Sequence, residues 1–599
     1  MTQRTHSRLR SALATAAVSA LMLGAGPAFS ETHPPLKRAD GAQVITTSLI
    51  GQPKGSDIAV AIEERVMAGA IADRLDGKVS KGAMDAARQA YAQNVFAPLW
   101  TREAAEKLMK ANPACRDEGV ESGITDEQLR AAIDARFTGS AEERAKADLR
   151  LSATWLRLAS TVSGGLSDQG GMVRSPEAAP ARSDLVAALV RAASGDPVSE
   201  FKQFSSSAVQ YRDLQRALKT YRKHAENGGW MRVRDGKEML EPGMNDPRVP
   251  ALRERLRAEG FVAPRRYAAL TQDMTAAPTL YDDALAGQLK AWQAAHGLKQ
   301  DGVLGPATLA ALNESVESKI SRIQRSMDHW RGFDPGEQYI WVNIPSYRAE
   351  GWKDGVREIH MDTIVGKKRT PTTAFSDEIE YIVVNPKWFL PIGLFKRQKL
   401  RKLRKDPGYA HAKKYKIYDR ASGAELDPHA VDWNAKGVAR RIQMVQSPGP
   451  HNALGQLKII FPNKHSIYLH DTPDRHLFER DVRALSSGCV RLQDPVAMAN
   501  WLTDHDDAIS TKVFNATLES RERDRFHLDR HVQVHLTYLP AAVAPDGTIE
   551  FPADIYGKFK KATLAKGVYP DDMTAEDTPS DRFVDNETDE LGPERDVLQ

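Results

Sequence analysis

The sequence predicts a multidomain α+β protein: an all-α N-terminal scaffold, a small three-helix module, and a β-rich C-terminal domain carrying a helical insert. Three observations predict it. The chain has 599 residues, and at about 150 residues per domain that means three or four folded units. Up to residue 315 apolar residues recur three and four apart, whereas from Tyr339 they come in short β-branched and aromatic runs. Residues 393–441 then break the strand rhythm with a cluster of basic side chains.

Composition sets outer limits. Hydrophobic residues make up 41% and charged residues 27%, which excludes a wholly disordered chain, a collagen-like fibre and a polytopic membrane protein. A formal net charge of +4 is too small to imply a nucleic-acid partner. Cys115 and Cys489 are the only cysteines, so a disulfide scaffold and a four-cysteine zinc site are excluded and one disulfide at most can form.

Arg4, Arg8 and Arg10 precede an apolar run from Ser11 to Gly26, followed by Ala28-Phe29-Ser30. These are the parts of a secretory signal peptide over 1–30, cut after Ser30. The run is shorter than the ~20 residues a spanning helix needs, and no cysteine lies at the cut to carry a lipid. The expectation is a soluble, exported protein without a stable membrane anchor. Residues 31–55 read as a linker.

Residues 56–245 read as a helical scaffold, with Ile62, Val66, Ala70 and Leu75, then Leu149, Leu151, Trp155, Leu156 and Leu158, at helical spacing. Residues 246–315 tighten into a compact helical unit. Leu252, Leu256 and Gly260 end its first helix. Leu285, Leu289 and Trp292 share a face of the second, Gly297 ends it, Asp301-Gly302 is a turn, and Thr308, Leu309 and Leu312 belong to the third. This pattern resembles the three-helix peptidoglycan-binding domain appended to cell-wall enzymes.

A β-rich domain spans 330–565, with a core at 339–510. Tyr339–Ile344, Glu358–Met361, Tyr381–Val384 and Lys458–Phe461 are its clearest strands. The insert at 393–441 opens with Lys396, Arg397, Lys399, Arg401, Lys402, Arg404 and Lys405 around Leu400 and Leu403, and reads as helical with a charged face. Val532, Val534, Leu536 and Tyr538 alternate like a further strand, and Asp546-Gly547 reads as a hairpin turn. Residues 570–599 are acidic, poor in apolar side chains and read as a disordered tail.

Chemistry concentrates in two stretches. Tyr468-Leu469-His470-Asp471-Thr472-Pro473 places a histidine at the end of a β-type run, and Cys489, within Ser486-Ser487-Gly488-Cys489-Val490-Arg491, lies nineteen residues after His470. A free thiol has a pKa near 8.5 and is a nucleophile only as thiolate. A neighbouring imidazole can take its proton, so Cys489 and His470 make a candidate nucleophile and base. Gly488 allows close backbone approach, and N–H groups from Ser487 to Cys489 are candidates to face an oxyanion. Arg491 offers a permanent cation for a carboxylate. Asp471 follows His470 on the same strand and should point to the opposite face; His476 falls in a loop. The competing readings are a buried structural cysteine, a Cys115–Cys489 disulfide, and a structural histidine. His360, His411, His429, His451 and His465 lack zinc-ligand spacing, so no metal is assigned.

Around those stretches Val365-Gly366-Lys367, Thr370-Pro371, Asn385-Pro386-Lys387-Trp388, Gln446-Ser447-Pro448-Gly449-Pro450, Asn452-Ala453-Leu454-Gly455 and Phe461-Pro462-Asn463 occur in order. Together the motifs resemble the YkuD-type L,D-transpeptidases, in the large periplasmic subgroup that has a scaffold, a peptidoglycan-binding module and a capping insert. Ser487 stands where many relatives have histidine, and Arg491 where many have Asn; both suit that subgroup, and the role of the missing histidine does not transfer. The resemblance implies that Cys489 attacks a stem tetrapeptide after its third residue, releasing D-alanine and leaving a thioester. A side-chain amine of a second stem then resolves it into a 3–3 crosslink. His470 would be the base, Gly488 and its neighbours (Ser487 among them) the oxyanion hole, and Arg491 or Ser486 would orient substrate or histidine. The implied partners are peptidoglycan stem peptides and glycan, together with cell-wall synthesis enzymes, in the periplasm; no cofactor and no nucleic acid are implied. The alternatives are the same domain with water or a protein lysine as acceptor, and a non-catalytic wall-binding scaffold.

Overall fold

The computed structural model describes residues 56–70, 81–163, 182–262, 279–331 and 333–559. The signal peptide 1–30, the linker 31–55 and the tail 570–599 lie outside the described residues. Among the described residues no helix is long and apolar enough to cross a membrane. The expected fold class is observed: helices first, then a three-helix module, then a sheet-based domain.

The scaffold is organised around the helix Ala141–Ser163, which is buried on nearly every face. A helix with apolar residues all round belongs inside its neighbours, and Leu149, Leu151, Trp155, Leu156 and Leu158 sit in one core with residues from Ile58 to Phe201. Its buried Asp148 accepts from the Leu99 and Trp100 amides and from the Tyr91 hydroxyl, and pairs with Arg136. Cys115 lies in this core, in the helix Ala111–Asp117. The helix Val209–Glu226, expected to belong to the scaffold core, instead packs its Tyr211, Leu214, Leu218 and Tyr221 against Ile323, Met327 and Trp330 of the helix Val316–Trp330. Tyr339, Trp341 and Trp352 of the sheet-based domain complete that cluster.

The module consists of helices Val249–Ala258, Asp283–Ala295 and Pro306–Leu312 around Leu252, Leu256, Leu285, Leu289, Trp292 and Leu312. Asp282 caps the second helix through the Leu285 amide at 2.7 Å, and Gly297 leaves it at φ +63°. Charge is buried where the module meets its neighbours. Glu259 pairs with Arg255 (2.7 Å) and Lys319 and accepts from Tyr221 Oη (2.6 Å) and Trp292 Nε1 (2.7 Å). Glu259, Arg255 and Lys319 have essentially no solvent exposure.

In chain order the strands are β1 (Gln338–Asn343), β2 (Arg348–Lys353), β3 (Val356–Gly366), β4 (Phe375–Val384), β5 (Trp388–Phe389), β6 (Tyr415–Asp419), β7 (Glu425–Leu426), β8 (Ile442–Gln446), β9 (Leu457–Ile460), β10 (Leu469–His470), β11 (Ala484–Ser486), β12 (Val490–Leu492), β13 (Asp524–Thr537), β14 (Ala542–Val543) and β15 (Ile549–Glu550). The main sheet runs β11-β3-β12-β10-β9-β4-β13-β1-β2, and β2 also pairs with β3, so the sheet closes on itself. It encloses Ile340, Val342, Ile382, Ile459, Leu469, Val490, Val534 and Leu536. Strand β13 sits inside this sheet, which therefore extends past residue 510.

The insert differs from expectation. It is helical over Ile392–Leu394, Leu400–Lys405 and Tyr409–Ala412, and its β6 and β7 join the flanking β5 and β8 in a four-stranded sheet ordered β5-β8-β6-β7. Tyr415 and Ile417 are buried while Lys416 is exposed, a two-residue alternation hidden in sequence by the surrounding basic residues. A core of Phe395, Leu403, Tyr415, Ile417, Trp433 and Met444 holds the insert together.

Candidate active site

The site is a product of strand register. In β10, Leu469 pairs with Ile459 of β9 and Val490 of β12, all three fully buried in the barrel interior. One residue on, the row consists of Lys458, His470 and Arg491. Successive side chains alternate across a strand, so this row faces away from the barrel core. Tyr468 shares that face, its ring 5.5 Å from the His470 ring in an edge-on arrangement. Cys489 immediately precedes β12, and the Val490 amide donates to the Tyr468 carbonyl at 3.2 Å. Cys489 stands two residues before Arg491 at the entrance to β12, so continued strand alternation would turn it toward the face that carries His470.

His470 is buried and its orientation is determined. Nδ1 lies 2.5 Å from the Asp471 carbonyl oxygen; a carbonyl only accepts, so Nδ1 carries the proton and Nε2 presents a lone pair. Burial first, then the Arg491 charge and, more weakly, Lys458, push the imidazole pKa down to about 3, with the Asp471 carbonyl opposing. The ring is neutral at neutral pH. Asp471 itself is structural: its carboxylate accepts from the Gln456 and Thr472 amides and pairs with Arg475 at 2.5 Å. It fills the space over Gly455, where a β-carbon would collide with it.

The cysteine is half-buried and its thiol donates to the Ser466 carbonyl at 3.6 Å. Both cysteines are free, which removes the Cys115–Cys489 disulfide as a reading. Burial first, then the nearby Glu118, push the Cys115 thiol up to about 12, leaving it inert.

The backbone around Cys489 is tied down on every side. Ser486 Oγ donates to the Cys489 carbonyl at 2.6 Å and accepts from the Gly488 amide at 3.1 Å. Ser486 therefore shapes the loop, and the Gly488 N–H is occupied by it rather than directed at a substrate. Gly488 has φ +133°, a conformation for which glycine is needed. Its carbonyl accepts from Thr372 Oγ1 at 2.7 Å, and Thr372 Oγ1 accepts from the Gly366 amide at 2.9 Å. Ser487 is exposed. Arg491 pairs with Asp474 at 3.2 Å.

Sequence reasoning singled out Cys489, His470, Ser486, Ser487, Gly488 and Arg491, and the structure gathers them at the junction of β10 and β12. Sequence reasoning did not flag Thr372, Ser466 or Asp474, each of which contacts the site. Thr372 directly follows the flagged Thr370-Pro371, which is the one local signal available for any of them. A cavity of about 510 Å³ lies where the insert meets Gln446–His451, with Lys414, Tyr415 and Lys416 in its wall; neither Cys489 nor His470 lines it. Among the described residues no group of His, Cys, Asp and Glu is arranged to hold a metal ion.

Comparison with known proteins agrees with this layout. Residues 337–514 match the family of the "L,D-transpeptidase catalytic domain". Residues 85–218 match a "Scaffold domain", and 245–312 a "Putative peptidoglycan binding domain". A protein of Haemophilus influenzae named "Putative L,D-transpeptidase" is 34% identical over 227 residues, 38% of this chain and 46% of that protein. The chain thus spans about half the length of the curated relative it matches. A solved L,D-transpeptidase structure from Xylanimonas cellulosilytica is 15% identical, covering 51% of this chain and 100% of that one, at a TM-score of 0.15, too low to speak for a shared fold. The chain carries an L,D-transpeptidase catalytic domain of the YkuD family at residues 337–514, joined to scaffold and peptidoglycan-binding domains.

Proposed function

We propose that the protein is a periplasmic peptidoglycan L,D-transpeptidase that forms 3–3 crosslinks through a thioester on Cys489, with His470 as base. The observation that carries this reading is the register of β10 and β12. It supports the reading because His470 is aligned with the strand that Cys489 enters, and its Nε2 is left as the lone-pair nitrogen.

In the first half-reaction His470 Nε2 takes the thiol proton as Cys489 Sγ attacks the carbonyl of the third stem residue. The tetrahedral adduct collapses, the bond to D-alanine breaks, and the imidazolium returns the proton to the leaving amine. In the second, a side-chain amine of a neighbouring stem gives a proton to His470 and attacks the thioester. An amide forms, and the thiolate leaves and is reprotonated. A resting imidazole with its pKa near 3 is a weak base. A stem-peptide carboxylate bound at Arg491 offsets the charge that depresses it and raises its basicity when substrate arrives. The three-helix module holds glycan near the site, and the basic insert suits carboxylate-bearing strands.

The test is intact-mass measurement after exposure to a carbapenem, an acyl-transferring mimic. The wild type gains one adduct, mapped to Cys489, and Cys489→Ala gains none. An identical mass profile for the two overturns the reading.

A further inference from the structure

The catalytic-domain match ends at residue 514, yet a segment well beyond it holds Gly366 and Thr372, and Thr372 in turn holds the cysteine loop. We propose that Tyr556 and Thr372 are positioning residues for Cys489, and that the C-terminal segment 549–559 is a working part of the active site. This rests on the reading of Cys489 as the acyl-accepting nucleophile.

The chain of contacts is short and complete. Tyr556 Oη donates to the Gly366 carbonyl at 2.7 Å and accepts from the Thr372 amide at 3.2 Å. Those two bonds hold the strand end and the loop after it in a fixed relation. Gly366 has no room for a side chain there: a β-carbon would run into the Thr370 carbonyl. Thr372, fully buried, accepts from the Gly366 amide and donates to the Gly488 carbonyl at 2.7 Å. In a trans peptide the C=O and N–H lie in one plane and point in opposite directions. Fixing the Gly488 oxygen on Thr372 therefore fixes the direction of the Cys489 N–H. The next plane is fixed by Ser486 Oγ on the Cys489 carbonyl and by the Val490 amide on Tyr468. Both peptides flanking the nucleophile are set before substrate arrives, which is what electrostatic preorganisation of acyl transfer requires.

Tyr556 is itself held. Its ring stacks on Tyr538 at 5.3 Å and its amide donates to the Tyr538 hydroxyl at 2.8 Å. Five residues earlier the Phe551 amide donates to the Ala295 carbonyl at 2.9 Å, at the end of a helix of the three-helix module. The segment thus runs from the three-helix module to Gly366 and Thr372, one contact away from the cysteine loop.

The experiment compares the full chain with Thr372→Val, Thr372→Ser and Tyr556→Phe. Two rates are read at Cys489: acylation by a carbapenem and alkylation by iodoacetamide. Alkylation needs an accessible thiolate alone, whereas acylation also needs the aligned backbone. Buried Cys115 serves as an internal gauge, since it becomes alkylable only in chains that have lost their fold. With the gauge closed, Thr372→Val slows acylation by about 10- to 100-fold and Tyr556→Phe by about tenfold. Alkylation stays within about threefold, and Thr372→Ser, which keeps the hydroxyl, retains the wild-type acylation rate. Should Thr372→Val open the gauge, Tyr556→Phe and Thr372→Ser decide by the same criteria. Wild-type acylation rates in Tyr556→Phe and in folded Thr372→Val overturn the proposal alone. Failure of the wild type to acylate at Cys489 overturns the nucleophile reading and this proposal with it.

Discussion

His470 lies in register with Arg491, two residues downstream of Cys489, on adjacent parallel strands and on one face of the sheet. The same pairing that aligns His470 with the strand following Cys489 brings a guanidinium charge to the imidazole. Reactivity and basicity at this site are therefore linked by one strand contact.

Replacing the base separates positioning from chemistry. His470→Ala is expected to lower the Cys489 acylation rate by about 10²- to 10⁴-fold, with the apparent affinity for the acyl donor little changed. Stopped-flow acylation with a carbapenem over a concentration range measures both. Equal rates for His470→Ala and wild type would remove His470 from the mechanism.

The acid limb of activity should respond to Arg491. Burial is the larger cause of the low His470 pKa, with Arg491 next. Removing a neighbouring positive charge raises an imidazole pKa, so Arg491→Gln moves the acid limb of kcat/KM upward from about 3, stopping short of 6.5 because burial remains. An unmoved limb contradicts the coupling.

Buried histidines set the acid stability. His329 and His470 are pushed down to about 3 and His535 to about 4, each by burial first. Between pH 6.5 and 4 an unfolded histidine is protonated while these stay neutral, so the unfolded state binds more protons and stability falls as pH falls. Each contributes up to about 1.4 kcal/mol per pH unit. Glu350, raised to about 7 by burial against the opposing Arg357 charge, acts in the opposite sense and offsets part of this loss. Urea unfolding at pH 7 and pH 5 is expected to show a loss at pH 5, with a shallower dependence in His329→Gln. Equal stability of the wild type at both pH values contradicts this.

Much of this was legible in sequence, because short-range chemistry wrote it there. The Tyr339–Ile344 and Lys458–Phe461 runs announced strands through β-branched and aromatic residues, and Gly297 and Asp301-Gly302 marked turns of the module. Cys489 and His470 stood out because thiol and imidazole have few roles at such positions. What stayed hidden depends on register or long range. The alignment of Lys458, His470 and Arg491 arises from pairing among three strands. Thr372 meets Tyr556 across 184 residues. The four-stranded sheet of the insert has strands of two to five residues, too short for periodicity to outweigh a run of lysine and arginine.

The buried ion cluster offers a stability test. Burial works to raise the Glu259 pKa, but Lys319, His296 and Arg255 hold it well below the ordinary carboxylate range. Glu259→Gln leaves Lys319 and Arg255 buried without their counter-charge, at an expected cost of about 3–5 kcal/mol. Pairing it with Lys319→Met should restore part of that loss, because one buried cation is removed as well. Chemical denaturation of the single and double variants measures both, and an unchanged midpoint for Glu259→Gln contradicts the role given to the cluster.

The most direct test of the central claim is product analysis on purified sacculi. After incubation with wild type or Cys489→Ala and complete glycan digestion, the account predicts new 3–3 crosslinked muropeptide dimers and free D-alanine with the wild type only. Release of D-alanine without 3–3 dimers, or an identical muropeptide profile for the two proteins, would contradict it.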